Sequence, residues 1–246
     1  IVAALLARQG YTSSEHALEA KRGWANVVAG GGAGPSRLDA ILESLGEKWE
    51  TKSNSFKPFP CGIVCHPAID AAIQCHSELN QRGVNPSQIE RVSMIVHPLV
   101  VELTNKKYPR DGLEGKFSVF HGCAVGLLYG QAGPAQYADE VVTSAEVINV
   151  RDRVGITADP ILAADEAYLS LTHLKGIELG RHVEHAIGSS HVPMADEQLT
   201  SKFVDQVSLV MGEEAATKAS AAAWGIGDVE DVASIVREFS SGVTSR

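Results

Sequence analysis

The chain has 246 residues, is 44% hydrophobic, and carries 21 basic against 30 acidic side chains, a net charge of -9. That length and apolar content allow a sizeable core in one or two domains. The acidic balance argues against nucleic acid, whose phosphates need clustered Lys and Arg. Four cysteines (Cys61, Cys65, Cys75, Cys123) are too few for a disulfide scaffold and point to free thiols in a reducing, cytoplasmic compartment. No apolar run approaches the roughly 20 residues that span a bilayer, so no membrane partner is expected.

The opening "IVAALLARQG" lacks a basic leader and a cleavage site. It reads as the tail of a helix stopped by Gly10, which implies that the protein's own N-terminal part precedes residue 1. Residues 1 to about 50 read as helical. "SSEHALEAKRGWANVVAG" has a Ser cap and apolar residues at helical spacing, and "SRLDAILESLGEKW" repeats the pattern. Between them, "AGGGAGPS" has no preceding strand and no Gly-Lys-Ser/Thr, so a flexible connection is a better reading than a phosphate loop.

Composition shifts after Phe56. "IERVSMIV" (89–96) alternates and is β-branched, which predicts a strand. "GITADP", "EAYLSLTHL" and "IELGRHVEHA" supply more strands, the last two as a hairpin around Lys175-Gly176. Helices are expected at 67–79, 114–129 and 133–149, then at 197–211, 213–224 and 228–239. The layout predicts an α+β multidomain fold. A helical domain is built from both chain ends (1–57 and 191–246), with an α+β domain at 58–190 inserted.

"FKPFPCGIVCHPAID" (56–70) marks the junction. Lys57 and Phe59 each precede a proline, so both are driven to extended backbone. A stiff segment of this kind either holds Lys57 in a cleft or leaves it on a surface hinge. Cys61 and Cys65 miss the Cys-x-x-Cys-His haem spacing by one residue, and no second Cys or His pair completes a zinc site, so no metal is expected. His66 is the expected cap of a helix starting at Pro67. Free amides there, together with Lys57, would suit a carboxylate; the plainer alternative is a polar cap with no ligand.

"GLEGKFSVFHGCAVGLLYG" (112–130) places Phe117, His121, Ala124 and Leu128 on one helical face, with Ser118 three residues before His121. His121 is either a satisfied core histidine or a general acid or base tuned by burial. Lys116 lies around the helix from it, so one ligand touches both only near the helix start. Lys106, Lys107 and Arg110 form a basic cluster, either a solvated loop or a steering patch for an anion.

These segments, with "GYTSSEHALEAKRGW", "IERVSMIVHPLVVELT", "AQYADEVV" and "VEHAIGSSHVPMADEQLTSKF", resemble the MmgE/PrpD family in the family's own order. That family includes 2-methylcitrate dehydratase, cis-aconitate decarboxylase and iminodisuccinate epimerase. The resemblance implies a helical domain with an inserted α+β lid, a homodimer, and no organic cofactor. It implies catalytic roles for Lys57 and His121, and substrate-binding roles for His66, Lys116 and Ser118. The dehydratase and decarboxylase branches often have Tyr where this chain has His121. The implied activity is a cofactor-independent lyase or isomerase. It would act on a small di- or tricarboxylate by proton transfer next to a carboxylate. A carboxylate-binding scaffold of the same fold, without catalysis, is the alternative.

Overall fold

The computed structural model describes residues 1–28 and 42–240. The "AGGGAGPS" connection and the start of the second predicted helix lie outside the described residues. Contacts divide the chain into two units, Ile1–Asn54 and Ser55–Arg246.

In the first unit, helix α1 (Val2–Arg8) ends as expected before Gly10, whose φ is +85°. The long helix expected over 13–30 is replaced by turns and a short α2 (Trp24–Val28). The chain doubles back instead, with Trp24 and Ala25 amides donating to the Ala17 and Leu18 carbonyls. Gly23 permits this: a Cβ there would lie 2.7 Å from the Leu18 oxygen. Gly23 is the only buried residue among those described in this unit. Among the described residues of this unit the apolar side chains stay largely exposed, and an amphipathic pattern does not hold a helix by propensity alone.

The second unit is α+β, built on a mixed four-stranded sheet. Its strands are β1 (Ile89–Val96), β2 (Val154–Ala158), β3 (Ala167–His173) and β4 (Glu178–Val183), in the spatial order β2-β1-β3-β4. β1 and β2 are parallel, and the other pairings are antiparallel. Alternation sets the faces. Val92, Met94 and Val96 point into the core with Leu169 and Leu171, while Ile95, Tyr168 and Ser170 stay exposed.

Helix α3 (His66–Gln81) packs on the inner face of the sheet against β3 and β4. Its buried side chains Ile69, Ala72, Cys75 and Leu79 recur at helical spacing. A second layer lies over it: α6 (Val119–Tyr129), reached through α4 (Pro98–Thr104) and the single-turn α5 (Gly112–Gly115). The α3–α6 contact is close because α6 presents glycines. A Cβ on Gly122 would meet Ile69 Cδ1 at 2.7 Å, and one on Gly126 would meet Ala72 Cβ at 3.0 Å.

Two predicted helices are broken. The helix expected at 114–129 starts only at Val119, because the Ser118 hydroxyl caps it by accepting from the His121 amide at 3.0 Å. Phe117 therefore lies outside the helix and is exposed. The helix expected at 133–149 divides into a 3-10 turn (Pro134–Tyr137), α7 (Asp139–Val142) and α8 (Ala145–Asp152), with Ser144 capping the last. α9 (Asp196–Met211), α10 (Glu213–Trp224) and α11 (Val232–Ser240) follow closely the predicted ranges. α9 packs along α10, and the Trp224 indole donates to the Thr200 hydroxyl at 2.9 Å. Among the described residues, no helix is long and apolar enough to cross a membrane.

Candidate active site

The strip from Lys57 to His66 runs to the start of α3. Its prolines keep it extended, and the Gly62 amide ties it to the Lys116 carbonyl at 3.3 Å. Lys57 is exposed, and its ammonium folds back to donate to the Cys61 carbonyl at 3.3 Å. Phe59 packs edge-on against the His66 ring, with centroids 5.3 Å apart.

His66 is the first residue of α3 and not its cap, which is Cys65. A 3-10 turn (Ile63–Cys65) runs straight into the helix, so the Cys65 and His66 amides donate to the Gly62 and Ile63 carbonyls. Pro67 has no amide. The cluster of free amides expected at this helix start is thus largely consumed. What the helix start offers instead is the His66 imidazole, 3% exposed, whose Nε2 has no hydrogen-bond partner.

His66 lines a cleft of ≈ 210 Å³ with Ser55, Phe56, Asp165, Ser189 and His191. The 186–191 loop forms one wall. Asp70, one turn along α3, holds it by accepting from the Ile187 amide at 2.9 Å. The Phe56 amide donates to the Gly188 carbonyl at 2.9 Å on the other side. Gly188 takes φ +87° there, and a Cβ would lie 2.1 Å from the Phe56 oxygen. His185 stacks on His191 with centroids 4.0 Å apart and bonds Asp165 through Nδ1 at 2.8 Å. Asp70 and this loop carry no site assignment in the sequence reading.

Behind the strip lies a second group. The Cys61 sulfur interacts with the Cys65 thiol, the His66 ring and the Tyr137 hydroxyl. Hydrogen bonding with Cys65 draws the Cys61 thiol below the ordinary thiol range and drives Cys65 above it, and the Cys61 thiol donates to the Gly62 carbonyl at 3.7 Å. The Tyr137 hydroxyl and His66 Nε2 are buried without a hydrogen-bond partner. Tyr137 in turn packs edge-on against His121, with centroids 5.0 Å apart.

His121 has no exposed surface. Its Nε2 faces the Gln136 carbonyl at 2.9 Å and so carries the proton. Its Nδ1 lone pair is buried without a partner. Burial lowers its pKa to about 4, with the Gln136 carbonyl opposing and the Arg151 charge assisting. The ring is a neutral imidazole in the core, away from solvent. Ser118 is likewise buried, with its oxygen engaged as the α6 cap. Lys116 is partly buried and stands where its carbonyl meets Gly62.

The structure thus places Lys57 and His66 on one strip, joins Lys116 to it through its backbone carbonyl, and buries His121 and Ser118. The basic cluster is already engaged. Lys106 and Arg110 pair with Glu114 at 3.0 and 2.8 Å, holding its carboxyl down to about 2, and Lys107 lies over the Phe120 ring. Among the described residues, no group of three or more His, Cys, Asp or Glu side chains could hold a metal ion.

The MmgE/PrpD C-terminal domain is matched over residues 59–226. The chain belongs to the MmgE/PrpD family. The match takes in His66, Lys116, Ser118 and His121 and begins just after Lys57. Among curated proteins, the chain is 25% identical to 2-methylcitrate dehydratase of Escherichia coli O157:H7 over 108 residues. It is 26% identical to the protein of the same name from Salmonella typhimurium (strain LT2) and 24% to that from Cupriavidus necator, over the same length. Each match covers 44% of this chain and 22% of the relative. The matched segment is therefore under a quarter of those proteins, and their names describe a lyase activity of the family.

Proposed function

We propose that this chain is part of a cofactor-independent lyase or isomerase of the MmgE/PrpD type. Its substrate is a small di- or tricarboxylate, and its reaction moves a proton at the carbon next to a carboxylate. Dehydration of a 2-methylcitrate-like acid is one form of that chemistry. Decarboxylation and epimerisation share its carbanion-like species.

The observation that supports this reading best is the meeting of Lys57 and His66 at Cys61. The ammonium bonds the Cys61 carbonyl, and the His66 imidazole lies beside the Cys61 sulfur and lines the cleft. In this proposal Lys57 binds a carboxylate and stabilises the charge that develops there. His66 exchanges the proton, as the imidazole that lines the cleft. Lys116 contributes positive charge at the same junction. His121 takes a positioning role in place of the proton-transfer role expected of it. With no exposed surface, it braces Tyr137 and the 133–137 turn from behind.

The test is NMR of the full-length protein in deuterated water with a panel of citrate-like, methylcitrate-like and aspartate-like acids. Exchange of a proton next to a carboxylate is expected, even where net conversion is slow. Lys57→Ala and His66→Gln should each slow it by at least about tenfold. Wild-type exchange in both variants would defeat the assignment. Binding by calorimetry with no exchange for any acid would favour the non-catalytic scaffold.

A further inference from the structure

The cleft beside His66 carries a second imidazole on another wall. His191 ends the 186–191 loop and lines the same ≈ 210 Å³ space. We propose that His191 is a second catalytic residue of this site: a general acid that protonates the leaving hydroxyl of the substrate, while His66 takes the proton from the neighbouring carbon. The proposal rests on the proton-transfer reading above and adds the group that serves the leaving oxygen.

Loss of water next to a carboxylate needs a base for the carbon-bound proton and an acid for the oxygen, because hydroxide is a poor leaving group. The cleft is smaller than the roughly 300–1,000 Å³ of pockets that take drug-sized ligands, so a small acid in it meets both walls. Exposure divides the roles. His66 is buried, on the side where a carbanion is kept from solvent protons. His191 is exposed, at the rim from which water departs. The exposed ring is nevertheless held. It stacks on His185 with centroids 4.0 Å apart and planes within 12°. The Asp165 carboxylate accepts from His185 Nδ1 at 2.8 Å, which fixes the tautomer and orientation of that ring and, through the stack, of His191. The loop itself is closed by the Gly188 amide donating to the Val192 carbonyl at 2.8 Å, and by the Val192 amide donating to the Ser189 hydroxyl oxygen at 3.1 Å. That oxygen is thus used as an acceptor, and the Ser189 O–H is left to donate to a substrate carboxylate. Asp165 and His185 are positioning residues, and His191 is the group they aim.

In the forward step the carbon next to the carboxylate gives its proton to the neutral His66 ring. The C–H electron pair becomes the second bond of a carbon–carbon double bond. The C–O bond on the adjacent carbon breaks with its electron pair on oxygen, and that oxygen takes the proton of the His191 imidazolium and leaves as water. His66 ends protonated and His191 neutral. The cycle closes when His66 releases its proton to solvent and His191 takes one up. The step is redox-neutral, and one C–H and one C–O bond are exchanged for a double bond and water.

The full-length protein is assayed with 2-methylcitrate and with the analogue in which fluorine replaces the hydroxyl, because fluoride leaves without a proton. Proton exchange in deuterated water is read in parallel. Wild type should eliminate from both acids and exchange the proton next to the carboxylate. His191→Gln should dehydrate 2-methylcitrate at least about tenfold more slowly, while fluoride release and proton exchange stay near wild type. His66→Gln should lose all three. Asp165→Asn should repeat the His191→Gln pattern more weakly, with dehydration falling and fluoride release retained, a split that a merely structural defect would not give. Wild-type dehydration in His191→Gln overturns the proposal. So does a fall in fluoride release as large as the fall in dehydration, which would make His191 a structural residue. A wild-type protein that exchanges protons but eliminates from neither acid also overturns it, and leaves the reading of His66 standing. A wild-type protein that exchanges no proton with any acid of the panel defeats that reading and this proposal together.

Discussion

Titrating His121 gives a test that needs no substrate. Its ring is neutral in the core, with Nε2 bonded to the Gln136 carbonyl and Nδ1 enclosed. Burial lowers its pKa from 6.5 to about 4. The unfolded chain therefore binds a proton at this residue between those limits, while the folded chain does not. For a base with a lowered folded pKa, stability is intact above pH 6.5 and falls as the pH drops toward 4. Each pH step in that window costs about 1.4 kcal/mol, and the whole window about 3 kcal/mol. Urea unfolding of wild type and His121→Gln at half-unit steps from pH 7.5 to pH 4 reads this out. Glutamine keeps a donor for the Gln136 carbonyl but does not titrate. The paired carboxylates, Glu78, Glu114 and Glu166 among them, titrate in both proteins and cancel in the difference. The two stability curves should converge by about 3 kcal/mol as pH falls. Parallel curves would mean that His121 reaches water, and the buried positioning role would have to be abandoned.

Two further outcomes follow from the same packing. Ser118→Ala should cost about 1 kcal/mol in denaturant unfolding, with Ser118→Thr close to wild type, because the hydroxyl caps α6. A loss of turnover without a loss of stability would return Ser118 to substrate binding. Gly112→Ala should destabilise by about 1–3 kcal/mol, since a Cβ there would lie 2.0 Å from the Tyr137 carbonyl oxygen. It should also shift the near-ultraviolet signal of the turn that carries Tyr137, and an unperturbed spectrum with full stability would contradict the close contact.

What could be read from the sequence follows from the range of the forces involved. The strands were legible because alternation of apolar residues is local, and "IERVSMIV" becomes β1 over the predicted residues. α9 and α10 were legible for the same reason. The helices that failed did so at single capping or turning residues. Ser118 and Ser144 start helices where periodicity alone would run through, and at Gly23 the chain turns back on itself. The site divides in the same way. Lys57, His66 and His121 stand out as basic residues in short motifs. The Asp70 bond to Ile187 spans 117 residues of sequence, and the Tyr137 contact with His121 depends on a turn packed by Gly112. No local pattern announces either. Burial of His121 was similarly ambiguous, because an apolar helical face says that a histidine is inside but not whether a cleft reaches it.

The parallel pairing of β1 with β2 has a consequence for the order of assembly. Val92 lies beside Val154, and everything between them leaves the sheet and returns. That excursion carries Lys116, Ser118, His121 and Tyr137. Zipping the two strands closes a long loop of chain, an entropically slow event compared with forming the β3–β4 hairpin. The hairpin and α3 can gather early, bringing the 57–66 strip and its cleft wall with them. The residues behind the strip arrive only when the crossover docks. A folding intermediate whose crossover has not yet docked would hold half a pocket, open at the back and unable to keep a histidine dry.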